Sequence, residues 1–98
     1  MSLTIRIRPL AQGELTAAVA WYESARPGLG RKFGAAVYTT LEAVADTPLR
    51  HAIVEGDVRE AVVAGYPYCA YFRVRRSDLI VLAIYHQKRD PSGWQGRA

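Results

Sequence analysis

The chain has 98 residues, half of them apolar, and a formal net charge of +4, which describes one small domain, residues 1–98, with room for a modest core. No run of about eighteen apolar residues occurs, so the pattern excludes a helical membrane span, and Met1 to Arg8 lacks the apolar stretch of a secretory signal. A single cysteine, Cys69, excludes an internal disulfide and offers no zinc spacing, so a cytoplasmic location is expected. The charge is unevenly placed. Met1 to Asp57 is neutral, whereas Val58 to Ala98 carries seven cations (Arg59, Arg73, Arg75, Arg76, Lys88, Arg89, Arg97) against three acids. That segment would attract an acidic partner or nucleic acid; an excess of this size also serves solubility alone.

Leu3, Ile5 and Ile7 alternate with Thr4, Arg6 and Arg8, which predicts a strand that ends at Pro9. From Leu10 the period changes. Leu15, Ala18, Val19, Tyr22 and Ala25 form one helical stripe, broken by Pro27-Gly28. Leu29, Phe33, Val37, Leu41 and Val44 form a second stripe, ended by Thr47-Pro48. The short break predicts an antiparallel helix pair. Val58 to Ala64 reads as a strand. Tyr68 to Arg75 alternates, with Tyr68, Ala70, Phe72 and Val74 on one face and Cys69, Tyr71, Arg73 and Arg75 on the other. After a tight link at Arg76-Ser77-Asp78, Leu79 to Tyr85 is apolar on both faces, as in a central strand. The expected order is β-α-α-β-β-β with a short C-terminal turn. The fold class is α+β: an antiparallel helix pair on one face of a mostly antiparallel four- to five-stranded sheet. The first strand is placed beside Leu79–Tyr85, which needs neighbours on both edges.

The residues with chemical potential are few. His86 ends a strand near Arg89 and Asp90, a position from which an imidazole can act as a general base. A lone strand-end histidine is more often a surface hydrogen-bonding residue. His51 lies in a loop with no partner close in sequence. No nucleophile–base spacing, metal cluster or phosphate loop is present; Gly28-Leu29-Gly30 is a helix break, and Glu23 and Glu42 read as solvated helix charges. Arg73 and Arg75 share a strand face with Tyr71. Arg59 on the preceding strand is a candidate cross-strand neighbour, and Arg6 and Arg8 add to the face if they point the same way. Such a face suits phosphate and bases, or simply keeps the sheet solvated. In the last segment, Asp90 is placed to cap a turn opened by Pro91, and Trp94 one turn on is placed to fold back on the domain. Trp21, off the main stripe, is a candidate exposed aromatic contact.

The combination of Ala20-Trp21-Tyr22-Glu23, Gly56-Asp57-Val58-Arg59, Tyr66-Pro67-Tyr68, the pair Tyr71-Phe72, and Val81-Leu82-Ala83-Ile84 leading to His86 and Arg89-Asp90-Pro91 with Trp94 resembles the ParE/RelE toxin superfamily. The resemblance spans nearly the whole chain. It implies the toxin of a type II toxin–antitoxin (plasmid stabilisation) module, causing growth arrest and held inactive by a cognate ParD-like antitoxin. Operator DNA would be reached only through that antitoxin, in a hetero-oligomer, with no cofactor, metal or membrane. The superfamily divides into ParE-like inhibitors of DNA gyrase and RelE-like endoribonucleases that cut mRNA in the ribosome. Of three nuclease positions, the first falls at about Cys69 and the last near Trp94, neither suited to the role, while Arg89 fills the second. Arg73, Tyr85 or His86 would have to substitute, so the alternative nuclease reading rests on Arg73, His86 and Arg89. The Arg89-Asp90-Pro91 ending with Trp94 and the Pro67-Tyr68 strand start are more similar to the ParE side. On that reading no residue is catalytic. Arg73, Arg75 and Arg89 present charge to the target, Tyr71 and Tyr85 present aromatic area, and Asp90 and Trp94 hold the tail.

Overall fold

The computed structural model describes residues 2–98. Strand β1 (Thr4–Ile7) is followed by helices α1 (Pro9–Ala25) and α2 (Leu29–Asp46), then β2 (Ile53–Glu55), β3 (Val58–Val62), β4 (Tyr68–Arg75) and β5 (Asp78–His86), with 3₁₀ turns at Pro48–Arg50 and Pro91–Gly93. The sheet order is β1-β5-β4-β3-β2. β1 runs parallel to β5, with Ile5 opposite Leu79, and every other pairing is antiparallel. The α+β architecture and the place of the first strand are therefore as expected. The addition is β2, an edge strand of three residues. Ile53 and Val54 are both exposed, so neither face shows the alternation that would mark it, and what holds it is the hairpin through Gly56 at φ 56°.

The helices meet the sheet through most of the predicted stripes, although Ala25 is exposed and Ala11, outside the predicted stripe, is buried. Ala11, Leu15 and Ala18 of α1 and Phe33, Val37 and Leu41 of α2 are buried with Val63, Ala70, Val81 and Ile84. Phe33 is ringed by Tyr22, Tyr66 and Tyr68 at centroid distances of 4.9, 5.0 and 5.0 Å. Further along α2, Val44 and Ala45 cover Ala61, Phe72 and Leu79. Each large side chain so buried contributes roughly 1.5–3 kcal/mol relative to exposure.

β5 is apolar on both faces for a geometric reason. Opposite β4, Phe72 pairs with Val81 but Tyr71 pairs with Ala83, leaving Leu82 as an extra residue. This bulge shifts the alternation by one. Leu79, Val81 and Ile84 face the helices, whereas Leu82, Ala83 and Tyr85 face away. The outward set is not left open. The C-terminal tail crosses it, with Trp94 stacked on Tyr71 at 4.0 Å and an interplanar angle of 14°, and Val58, Cys69, Leu82, Ala83 and Tyr85 packed beneath.

Glu23 departs from its expected role as a solvated charge. Its carboxylate accepts hydrogen bonds from the Gly28 N–H (3.0 Å) and the Gly30 N–H (3.0 Å). One helix thus supplies the N-terminal cap of the next, which has no capping side chain of its own. The approach is close: a Cβ on Gly30 would lie 2.6 Å from the Val19 carbonyl oxygen. Glu23→Ala is expected to lower stability by about 1 kcal/mol in urea unfolding, and Glu23→Gln to lose less, because an amide oxygen still accepts.

Candidate functional site

One cleft, of about 430 Å³, opens where the start of β4, the end of β5 and the second half of α1 meet. It is lined by Trp21, Tyr22, Pro67, Tyr68, His86 and Arg89. The register sets it up: Tyr68 and His86 are partners across β4 and β5, and their rings meet edge to face at 5.1 Å and 76°. α1 contributes Tyr22, edge to face with Trp21 at 5.1 Å and 85°. Trp21 is 65% exposed. Beyond β5, the Arg89 N–H donates to the His86 carbonyl oxygen (3.1 Å), and the Arg89 guanidinium lies 4.5 Å from the Tyr85 ring centroid, a cation–π contact.

His86 carries the most informative hydrogen bond. Its Nδ1 accepts from the Lys88 backbone N–H at 3.1 Å. In the neutral ring one nitrogen accepts and the other holds the hydrogen, so the hydrogen sits on Nε2. The nitrogen left for a ligand is a donor. A general base needs the opposite arrangement.

Arg73 stands apart from this cleft. It lies five residues along β4 from Tyr68, roughly 17 Å at strand rise, and on the other face. Its guanidinium is held by Asp57 at 2.8 Å and its side chain is only 12% exposed. Arg75 is 3.9 Å from the same carboxylate and remains mostly exposed. Arg6 joins this face through its register with Ile80 and pairs with Asp78 at 3.0 Å. Arg59 does not join it. Its register partner is Phe72, on the helix side, and its guanidinium donates to the His51 carbonyl oxygen (2.6 Å). Arg8 donates to the Arg97 carbonyl oxygen, under the tail. The expected arginine face is thus smaller and more neutralised than the strand pattern implied.

Tyr71 and Tyr85, expected to present aromatic area, do not. They are 7% and 3% exposed, because the tail lies over them. Tyr71 donates to a Glu60 carboxylate oxygen (2.9 Å); burial foremost, then that bond and charge, push its hydroxyl far above the ordinary phenol range. Tyr85 donates to the Asp90 carbonyl oxygen (2.6 Å), and a Cβ on Gly93 would run into the same hydroxyl. Asp90 accepts from the Ser92 N–H at 2.9 Å, which holds its carboxyl below the usual range. Cys69 lies under the tail as well, on the face away from His86, and burial pushes its thiol up. Two acids matter in ways their sequence positions did not signal: Glu23, and Glu14, described below. Glu14 has no partner close in sequence, and the partners of Glu23 are backbone N–H groups, which no residue type marks. Among the described residues no metal-binding group of His, Cys, Asp or Glu is gathered, and no helix is long and apolar enough to cross a membrane.

The family model described as the ParE toxin of type II toxin-antitoxin system, parDE, matches residues 5–91. The chain belongs to the ParE toxin family. A solved structure described as the chromosomal ParDE TA system from P. aeruginosa aligns with a TM-score of 0.76 at 18% identity, covering 87% of this chain and 96% of that one. At that identity the likeness is one of fold, and it agrees with the helix pair on a five-stranded sheet. No curated protein matches the chain. Membership accords with the resemblance drawn from the Arg89-Asp90-Pro91 ending and the Pro67-Tyr68 strand start. Within the ParE frame, the three residues of the nuclease alternative fall at two separate places: His86 and Arg89 at the cleft, Arg73 at the opposite end and face of the sheet.

Proposed function

We propose that this ParE-family chain arrests growth by binding DNA gyrase in the cytoplasm, blocking its turnover without making or breaking covalent bonds itself, and that a cognate ParD-like antitoxin neutralises it. Operator DNA is contacted through the antitoxin alone. The observation that supports binding over cleavage is the separation just described. RNA cleavage needs a base, an acid and a cation converging on one phosphate. Here Arg73 is committed to Asp57, and the His86 nitrogen open to a ligand is already protonated. What remains is a rigid surface with a cationic end, Arg89 and Lys88 beside His86, and an opposite end where Arg6 and Arg75 are partly offset by Asp78 and Asp57.

The test is a gyrase supercoiling assay with purified protein, run beside a coupled translation assay that follows mRNA. Supercoiling is expected to stop, with cleaved DNA accumulating, while transcripts stay intact. Arg89→Glu is expected to weaken inhibition by about tenfold, the worth of one charge-assisted contact. Site-specific transcript cuts on ribosomes, with gyrase unaffected, would assign the chain to the endoribonuclease alternative instead.

A further inference from the structure

The cleft at the end of the sheet has three properties that together select a ligand. Its walls are mostly aromatic, and the rings meet edge to face: Trp21 with Tyr22 at 85° and Tyr68 with His86 at 76°. Such walls receive a bulky side chain. They offer no parallel slot for a nucleobase and no amide group to read one. Second, no carboxylate lines the cleft. His86 presents Nε2–H, because its Nδ1 is occupied by the Lys88 N–H, and Arg89 is held by a ring rather than by an acid. The described ion pairs take up neither Arg89 nor the adjacent Lys88. The complementary charge is therefore negative. Third, Trp21 leaves 65% of its surface in water on the rim, and the volume of about 430 Å³ falls in the range of clefts that enclose a ligand group.

We infer that this cleft receives a segment of the antitoxin in which a carboxylate stands beside a large apolar side chain. The apolar group packs among Trp21, Tyr22, Pro67 and Tyr68. The carboxylate accepts from the Arg89 guanidinium and from the His86 Nε2–H. The tight centre of such an interface is an anchor in a pocket with a desolvated charge pair at its edge. The inference rests on the antitoxin-held reading of the chain, and adds to it a place and a chemistry.

The probe is a blocked peptide with Asp-Leu-Phe-Asp at its centre, titrated into the full chain while tryptophan emission is followed. Trp94, in the tail, is buried against the outward face of the sheet, so Trp21 reports on the cleft, and Trp21→Phe should abolish the signal. A saturable change is expected. A peptide with Asn in place of each Asp should bind about tenfold more weakly. Arg89→Glu, at an exposed position, should weaken the Asp peptide by a similar factor and favour a peptide carrying Lys at those places. No response, equal response to the Asp and Asn peptides, or displacement of the peptide by adenosine monophosphate would overturn the assignment. Growth arrest and gyrase inhibition are read without the peptide. A silent cleft with active inhibition therefore removes this site and leaves the proposed function in place.

Discussion

Trp94→Ala should destabilise the protein by about 3–5 kcal/mol in urea unfolding. The indole is 5% exposed and lies flat on Tyr71, and it shares the outward cluster with Val58, Cys69, Leu82, Ala83 and Tyr85. Its removal leaves a cavity under a tail that has little else apolar to offer. Two variants make the cause visible. The Trp94 Nε1–H is buried with no partner, so Trp94→Phe deletes an unsatisfied donor along with some volume and should cost only about 1 kcal/mol. In Trp94→Ala, water reaches Tyr71, and an absorbance titration should show a tyrosine ionising nearer the ordinary phenol range than in the parent. A loss below about 1 kcal/mol for the alanine variant would mean that the tail lies on the sheet without supporting it.

Glu14→Ala should cost about 2–3 kcal/mol, through a different device. β1 pairs β5 only from Asp78 to Val81. Past that point the edge of β5 is finished by side chains. A Glu14 carboxylate oxygen accepts from the Ile84 N–H at 3.1 Å, and the Arg97 guanidinium donates to the Leu82 carbonyl oxygen at 2.9 Å. The two side chains also pair with each other at 3.0 Å, at 17% and 16% exposure. Removing the acid strands both a strand N–H and a mostly buried cation, which is why the expected loss exceeds that of a surface pair. Arg97→Ala should lose a similar amount, and the double variant less than the sum of the two. Additive losses in the cycle would show that the two side chains act independently.

Legibility from the sequence follows the range of the interaction. Phe33, Val37 and Leu41 repeat at helical spacing, and Tyr68, Ala70 and Phe72 alternate. These local periods are set by burial against one surface, and the structure keeps them. The bulge at Leu82 leaves no mark, because an apolar residue looks the same facing either way. β2 is too short to show a period. The roles of Arg73 and Arg97 were hidden for a further reason. Their partners Asp57 and Glu14 are distant in the chain, and only the assembled sheet brings them together. The cleft was half visible. His86 and Arg89 stood out by residue type, whereas Trp21, Tyr22 and Pro67 join them only because α1, packed along β5, brings its second half to the start of β4.

The partnership of β1 with β5 also bears on how the chain comes into being. Thr4 pairs with Asp78, so β1 has no partner in the sheet until β5, far along the chain, has been synthesised. Closing so long a loop is slow compared with helix formation. During translation the helical hairpin is able to form alone, but its apolar stripe has no finished sheet to cover until β5 has emerged. The end of the sheet that carries His86 and Arg89 is therefore complete only after β5 has left the ribosome.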